Sequence, residues 1–202
     1  MLQRRYTLPL IALVTLLHLG FGMQAEADYG VESKCPLTDP LQASVDDRPV
    51  GTWRAVIKEK TYFLHVGTGN IVGQSNWMEL VLVNPGDKPT FYLHHKIGFP
   101  STIGETSFFN VANPSVLISQ LRGSSAKELV ASVERYDVLK YELNGDILDV
   151  WPADQKVIRA AIEAGEVKGN DATIDDTPEN LARFVTSTPK LFTNKVRYTR
   201  VK

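Results

Sequence analysis

Asn144-Gly145 stands between two runs in which apolar and polar residues alternate, Val138–Leu143 and Ile147–Trp151. No short sequence signals a β-hairpin more strongly, because both residues tolerate the positive φ of the tightest turns. Strand side chains point alternately to the two faces of a sheet. A chain made of such runs must therefore fold as antiparallel sheet with one face packed. The pattern recurs along the chain. Trp53, Ala55 and Ile57 share a face of Gly51–Ile57, and Met78, Leu80 and Leu82 share a face of Met78–Val83. Tyr62–Val66, Thr90–Lys96, Ser107–Val111 and Lys195–Val201 read as further strands, the second of them dense in aromatic residues. Asn84-Pro85-Gly86-Asp87 is a turn.

Helical spacing appears in three places. Ser125 and Glu128 form a capping box before the stripe Leu129, Val130 and Val133, which predicts a helix over 126–135. A second helix starts near Asp154, buries Val157, Ile158, Ala161 and Ile162, and stops at Gly165. A third has Thr177 as its cap, Pro178 in its first position and Leu181, Phe184 and Val185 as its apolar stripe. The chain thus reads as mostly β, of α+β type. An antiparallel barrel of about eight strands with two or three short helices, two of them before the last strand, fits this order.

The ends of the chain carry a different signal. Arg4-Arg5, the apolar run Leu8–Phe21 and Ala25-Glu26-Ala27 make the three-part pattern of a secretory signal peptide over 1–27. The run is short of the ~20 residues of a membrane span, so no span is expected in the mature chain. Residues 28–49, with Pro36, Pro40 and Pro49, read as an extended arm, and 50–202 as the barrel domain. The expected location is periplasmic or secreted. The single cysteine, Cys35, excludes an internal disulfide. Glu32-Ser33-Lys34 before it lack the small apolar residues of a lipidation signal, which favours a plain or oligomer-linking thiol. With 22 Lys and Arg against 23 Asp and Glu and no basic block, the chain lacks the clustered cations that nucleic acid requires.

Residues that could carry chemistry are few. Gly67-Thr68-Gly69-Asn70-Ile71-Val72-Gly73 opens no helix, so it reads as a hairpin loop rather than a phosphate cradle. His94 and His95 are consecutive on a strand and face opposite ways, and no third ligand stands at metal spacing from His65. There is no Gly-x-Ser-x-Gly elbow, and Asp146 and Asp149 read as solvated hairpin residues. No cofactor is implied. An enzyme would need His65 and His94 or His95 in one cleft.

Gly51-Thr52-Trp53 resembles the Gly-x-Trp signature of lipocalins, and Arg197 or Arg200 on the last strand is similar to the arginine that packs across that Trp. Residues three apart face opposite sides of a strand, so only one of the two can point inward. The chain lacks the Thr-Asp-Tyr motif of lipocalins and has no histidine after His95 of the kind that haem-binding barrels use. The segment Leu148–Asp154 is similar to a pattern in uncharacterised exported bacterial proteins and implies no function. The resemblance implies a lipocalin-like, calycin-type barrel, with Gly51, Trp53 and Arg197 or Arg200 as structural residues. Such a barrel can hold one small ligand, here apolar or amphipathic, with Trp53, Phe63, Met78, Leu80, Tyr92, Tyr141 and Trp151 as candidate lining. The alternative is an interaction module of the cell envelope, an inhibitor or assembly factor with a packed barrel, docking through an exposed apolar loop at Gly98–Gly104.

Overall fold

The computed structural model describes residues 30–43, 46–68, 76–86, 90–114 and 125–202. The signal read at 1–27 and residues 69–73 of the glycine-rich stretch lie outside these. Alternating runs form the wall in chain order: β2 (Gly51–Ile57), β3 (Lys60–Thr68), β4 (Met78–Pro85), β5 (Phe91–Ile103), β6 (Thr106–Pro114), β7 (Val133–Asn144) and β8 (Ile147–Trp151). Each pairs antiparallel with the next, and β11 (Val196–Arg200) fits between β8 and β2 to complete a closed eight-stranded barrel. The β7–β8 hairpin turns at Gly145-Asp146, one residue later than the Asn-Gly pair, with Gly145 at φ 58°.

The arm is more than a leader to the barrel. Its β1 (Val31–Ser33) pairs with Tyr136–Val138 of β7 and carries the short β10 (Thr173–Ile174) and β9 (Gly169–Asn170) beyond it. Helices α1 (Ala126–Ser132), α2 (Gln155–Glu163) and α3 (Pro178–Ser187) begin at the expected caps Ser125, Asp154 and Thr177. The first ends early because β7 takes over at Val133. Among the described residues no helix is long and apolar enough to cross a membrane.

Three apolar cores result. The inner one fills the closed end of the barrel with Trp53, Ala55, Met78, Phe109 and Tyr141. A second lies outside the wall, where α2 and α3 lay Ile158, Leu181 and Phe184 over Phe108 and Val138. A third joins Trp77 and Leu129 of α1 to the outward Ile97 and Phe99 of β5. This third core corrects the reading of Gly98–Gly104 as an exposed loop. The segment prolongs β5, paired with β6 through Phe99↔Asn110 and Ser101↔Phe108, and Phe99 is fully buried against Trp77 and Tyr136. Gly98 allows the change of partner, since a Cβ there would stand 2.5 Å from the Asn110 carbonyl oxygen.

The closed end is built on Trp53. Its indole is fully buried, donates from Nε1 to Pro49 O at 2.7 Å, and has the Arg200 guanidinium 4.1 Å above the ring centroid. Register pairs the two residues directly across β2 and β11. Arg200 also donates to Val50 O and Arg48 O at 2.7 and 3.0 Å, tying the end of the arm beneath the barrel. Gly51 has φ 144°, and a Cβ on it would stand 2.5 Å from Arg200 Nη1. Arg197 faces the other way and forks onto Asp149 at 2.7 and 2.8 Å. Trp53→Ala is expected to cost about 3–5 kcal/mol in denaturant unfolding. Arg200→Met, which keeps an apolar stem but loses the cation over the ring, is expected to cost about 1–2 kcal/mol. Equal losses for the two variants would contradict this account.

Candidate ligand cavity

Above Trp53 and Met78 the barrel is hollow. Its cavity measures about 940 Å³, within the range of small-molecule sites. Period-2 alternation decides which side chains reach it. On β3 the inner face takes Tyr62, Leu64 and Val66; on β4 Leu80, Leu82 and Asn84; on β5 Tyr92, His94 and Lys96. Phe109, Val111 and Leu139 complete an apolar lower wall. Tyr92 and His94 point inward and yet are exposed, Tyr92 at 46%, so the cavity opens to solvent at their end of the barrel.

Of the candidate lining residues, Leu80, Tyr92 and Tyr141 line the cavity. Trp53 and Met78 are packed into the inner core at the closed end and leave the space above them free. Phe63 and Trp151 are corrections: both face outward. Phe63 is displaced from the interior because its neighbours Tyr62 and Leu64 hold the inner positions, which leaves it on the outer face with Thr61 and His65. Trp151 shares the outer face with Asp149, where the ammonium groups of Lys140 and Lys195 sit 5.0 and 5.6 Å from its ring centroid. Asp149 is buried there rather than solvated, paired with Arg197 and Lys195.

The polar residues of the cavity escaped the sequence reading. Lys96 donates to Asn113 Oδ1 at 2.5 Å, and Asn113 donates in turn to Asp137 Oδ2 at 2.8 Å. These groups line the cavity near its mouth. The signal was available: once Tyr92 is placed inside, alternation puts His94 and Lys96 inside too. Asn84 presents a buried Oδ1 with no partner among the described residues. Such a group normally finds a hydrogen bond, so the cavity offers both an acceptor and a cationic donor.

The histidines do not converge. His65 and His95 lie on the outer face, separated by Val81 of β4, while His94 faces the cavity. His65 Nδ1 is 2.9 Å from Thr52 Oγ1, and His95 Nε2 is 3.2 Å from Glu79. No group of three metal-binding side chains occurs among the described residues. Cys35 is half-buried, bonded through Sγ to Asp176 O at 3.2 Å, and burial raises its thiol pKa.

The floor is held by charge as well as packing. Tyr141 donates to Asp46 Oδ2 at 3.0 Å, and Arg48 grips the same carboxylate at 2.7 and 2.8 Å. Arg48, with Tyr141 behind it, holds the Asp46 carboxyl below its ordinary range, while burial pushes the Tyr141 hydroxyl up. The chain gives no match when compared with protein-family models, with curated proteins and with solved structures. Fold and cavity define its class: a closed antiparallel barrel with a solvent-connected interior.

Because the Asp46 pKa is lower folded than unfolded, its contribution is present above about pH 4 and lost as pH falls through the folded value. Asp46→Ala is therefore expected to lower stability by about 1–2 kcal/mol at pH 7. The gap to wild type should close as pH falls below about 4. Urea unfolding at both pH values measures it, and a gap independent of pH would rule out the charge as its source.

Proposed function

We propose that this protein is a carrier or sensor that holds one small amphipathic or apolar ligand inside its barrel, in an exported setting. The observation that carries the proposal is the 940 Å³ cavity with a graded lining. Leu64, Leu80 and Val111 suit an apolar body at its lower end, and Lys96, Asn113 and Asn84 suit a polar group towards the mouth. A packed interior would leave no such space, and an aqueous channel would have no apolar wall. Burial of a ligand's apolar surface contributes roughly 25 cal/mol per Å². The Arg200–Trp53 stack behind Gly51 supports a lipocalin-like assignment within the barrel class. The apolar segment Gly98–Gly104, the expected docking site of an interaction module, does not support that reading, since it continues β5 with Phe99 buried.

The test fills the cavity without touching the wall. Leu80 is half-buried and inward, so Leu80→Trp has room for the larger ring. Titration with the fluorophore 1-aminoanthracene is expected to show saturable binding to wild type, weakened at least tenfold in Leu80→Trp. Its unfolding midpoint should hold or rise, because the substitution occupies empty volume rather than overpacking a core. Undiminished binding by Leu80→Trp would place the probe elsewhere and remove the support for an internal ligand. Mass spectrometry of protein purified from its native host under non-denaturing conditions would then identify the ligand.

A further inference from the structure

The outside of the barrel is unevenly covered. Around β6, β7 and the second half of β5, the helices and the arm bury every large apolar side chain that faces out. Over β2, β3, β4 and the first half of β5 no such cover exists among the described residues. An antiparallel wall with a solvated face normally carries polar residues there. This one does not. Register aligns the outward row Arg54–Phe63–Val83–Leu93 across the four strands, with the outward pairs Val56–Thr61 and Pro85–Phe91 beyond it. Val56, Phe91 and Leu93 are 64%, 63% and 61% exposed. Contiguous apolar surface of this kind marks a docking face.

The charge around the patch says what kind. Arg54, Lys58 and Lys60 border it, all exposed, and none has an ion-pair partner among the described residues. Among the described residues Glu59 is the one acid at that tip. Lys58 and Glu59 form the two-residue turn between β2 and β3 with φ 48° and 66°. Both lie in the left-handed region, where Asn-Gly would sit without strain. Strain of this sort persists at sites with a use for the side chains it displays. The patch also lies at the open end, where Tyr92 and Lys60 line the cavity mouth.

We propose that this rim docks onto an anionic lipid surface, with Phe91 and Leu93 entering the headgroup boundary and Lys58 and Lys60 meeting the lipid charges. Aromatic and aliphatic side chains flanked by lysines suit that boundary. Electrostatic attraction to anionic lipid adds to the burial of the apolar pair. The proposal stands on the outer wall and the rim, where Lys60 also lines the cavity mouth, and does not require an internal ligand.

The test is sedimentation with vesicles of phosphatidylcholine containing about one third phosphatidylglycerol, against phosphatidylcholine alone. Wild type is expected to sediment with the anionic vesicles, less so in high salt, and weakly with the neutral ones. Phe91→Ser/Leu93→Ser is expected to weaken partition at least about tenfold, and Lys58→Ser/Lys60→Ser about fivefold per charge removed. All four positions are exposed, so both variants should keep the wild-type unfolding midpoint. In Phe91→Trp, the emission of the new indole should shift to the blue on anionic vesicles only. No sedimentation of wild type, equal sedimentation with neutral vesicles, or undiminished binding by the serine pair would each overturn the proposal. So would a dimer, seen by light scattering, that the serine pair dissolves, since the patch would then belong to a second copy of the chain.

Discussion

The guanidinium of Arg200 over the indole of Trp53 joins the first and last strands of the barrel. Closure of a sheet depends on those two strands meeting in the right register. Here the register pair is also the cation–π pair, and the same arginine binds the carbonyls of Val50 and Arg48. One side chain thus fixes the seam, the floor and the end of the arm. Gly51 makes this possible by leaving the space in which the guanidinium lies. The arginine is one of the links between the floor and the arm. Tyr141 with Asp46 and Arg48 is another such link.

The distribution of apolar side chains explains why the interior stays hollow. An eight-stranded barrel has an interior just wide enough for its own side chains or for one small ligand. Large rings fill the closed end in this one, with Trp53, Met78, Phe109 and Tyr141 in contact. Further up, leucine and valine hold many of the inner positions, among them Leu64, Leu80, Leu82, Val111 and Leu139, and these do not reach across. Other large aromatic residues are spent outside the wall: Trp77, Phe99 and Phe108 lie under the helices and at the β5–β6 face. The outer cores stabilise the wall from behind, so the barrel does not rely on a filled interior. Asn110 serves the same end, buried, accepting from Leu37 N and donating to Ser101.

Particular residues show where pattern alone stops. Trp53 and Tyr141 lie on strands whose alternation is clean, and their inward direction follows from period 2. Phe63 shares its face of Thr61–Val66 with Thr61 and His65, so the pattern there already favours Tyr62, Leu64 and Val66 as the inner set. Trp151 ends a strand whose inner face is Leu148 and Val150, one residue out of phase with it. Gly98-Phe99-Pro100 looks like a loop because Gly and Pro punctuate it, yet pairing with β6 carries the strand straight through. Tertiary hydrogen bonding outweighs the local turn signal there.

Local order was thus settled by the sequence itself: the strands and their punctuation, the three helix starts at Ser125, Asp154 and Thr177, and the Gly51-x-Trp53 opening. These rest on interactions within a few residues, such as caps, turns and alternation, which the chain carries wherever it goes. Tertiary structure decided the rest. It chose Arg200 over Arg197, set β1 beside β7, left the cavity open, and among the described residues covered one half of the outer wall but not the other. Those outcomes depend on strands far apart in sequence meeting in one register, and one residue of slip would turn every side chain of a strand to the opposite face.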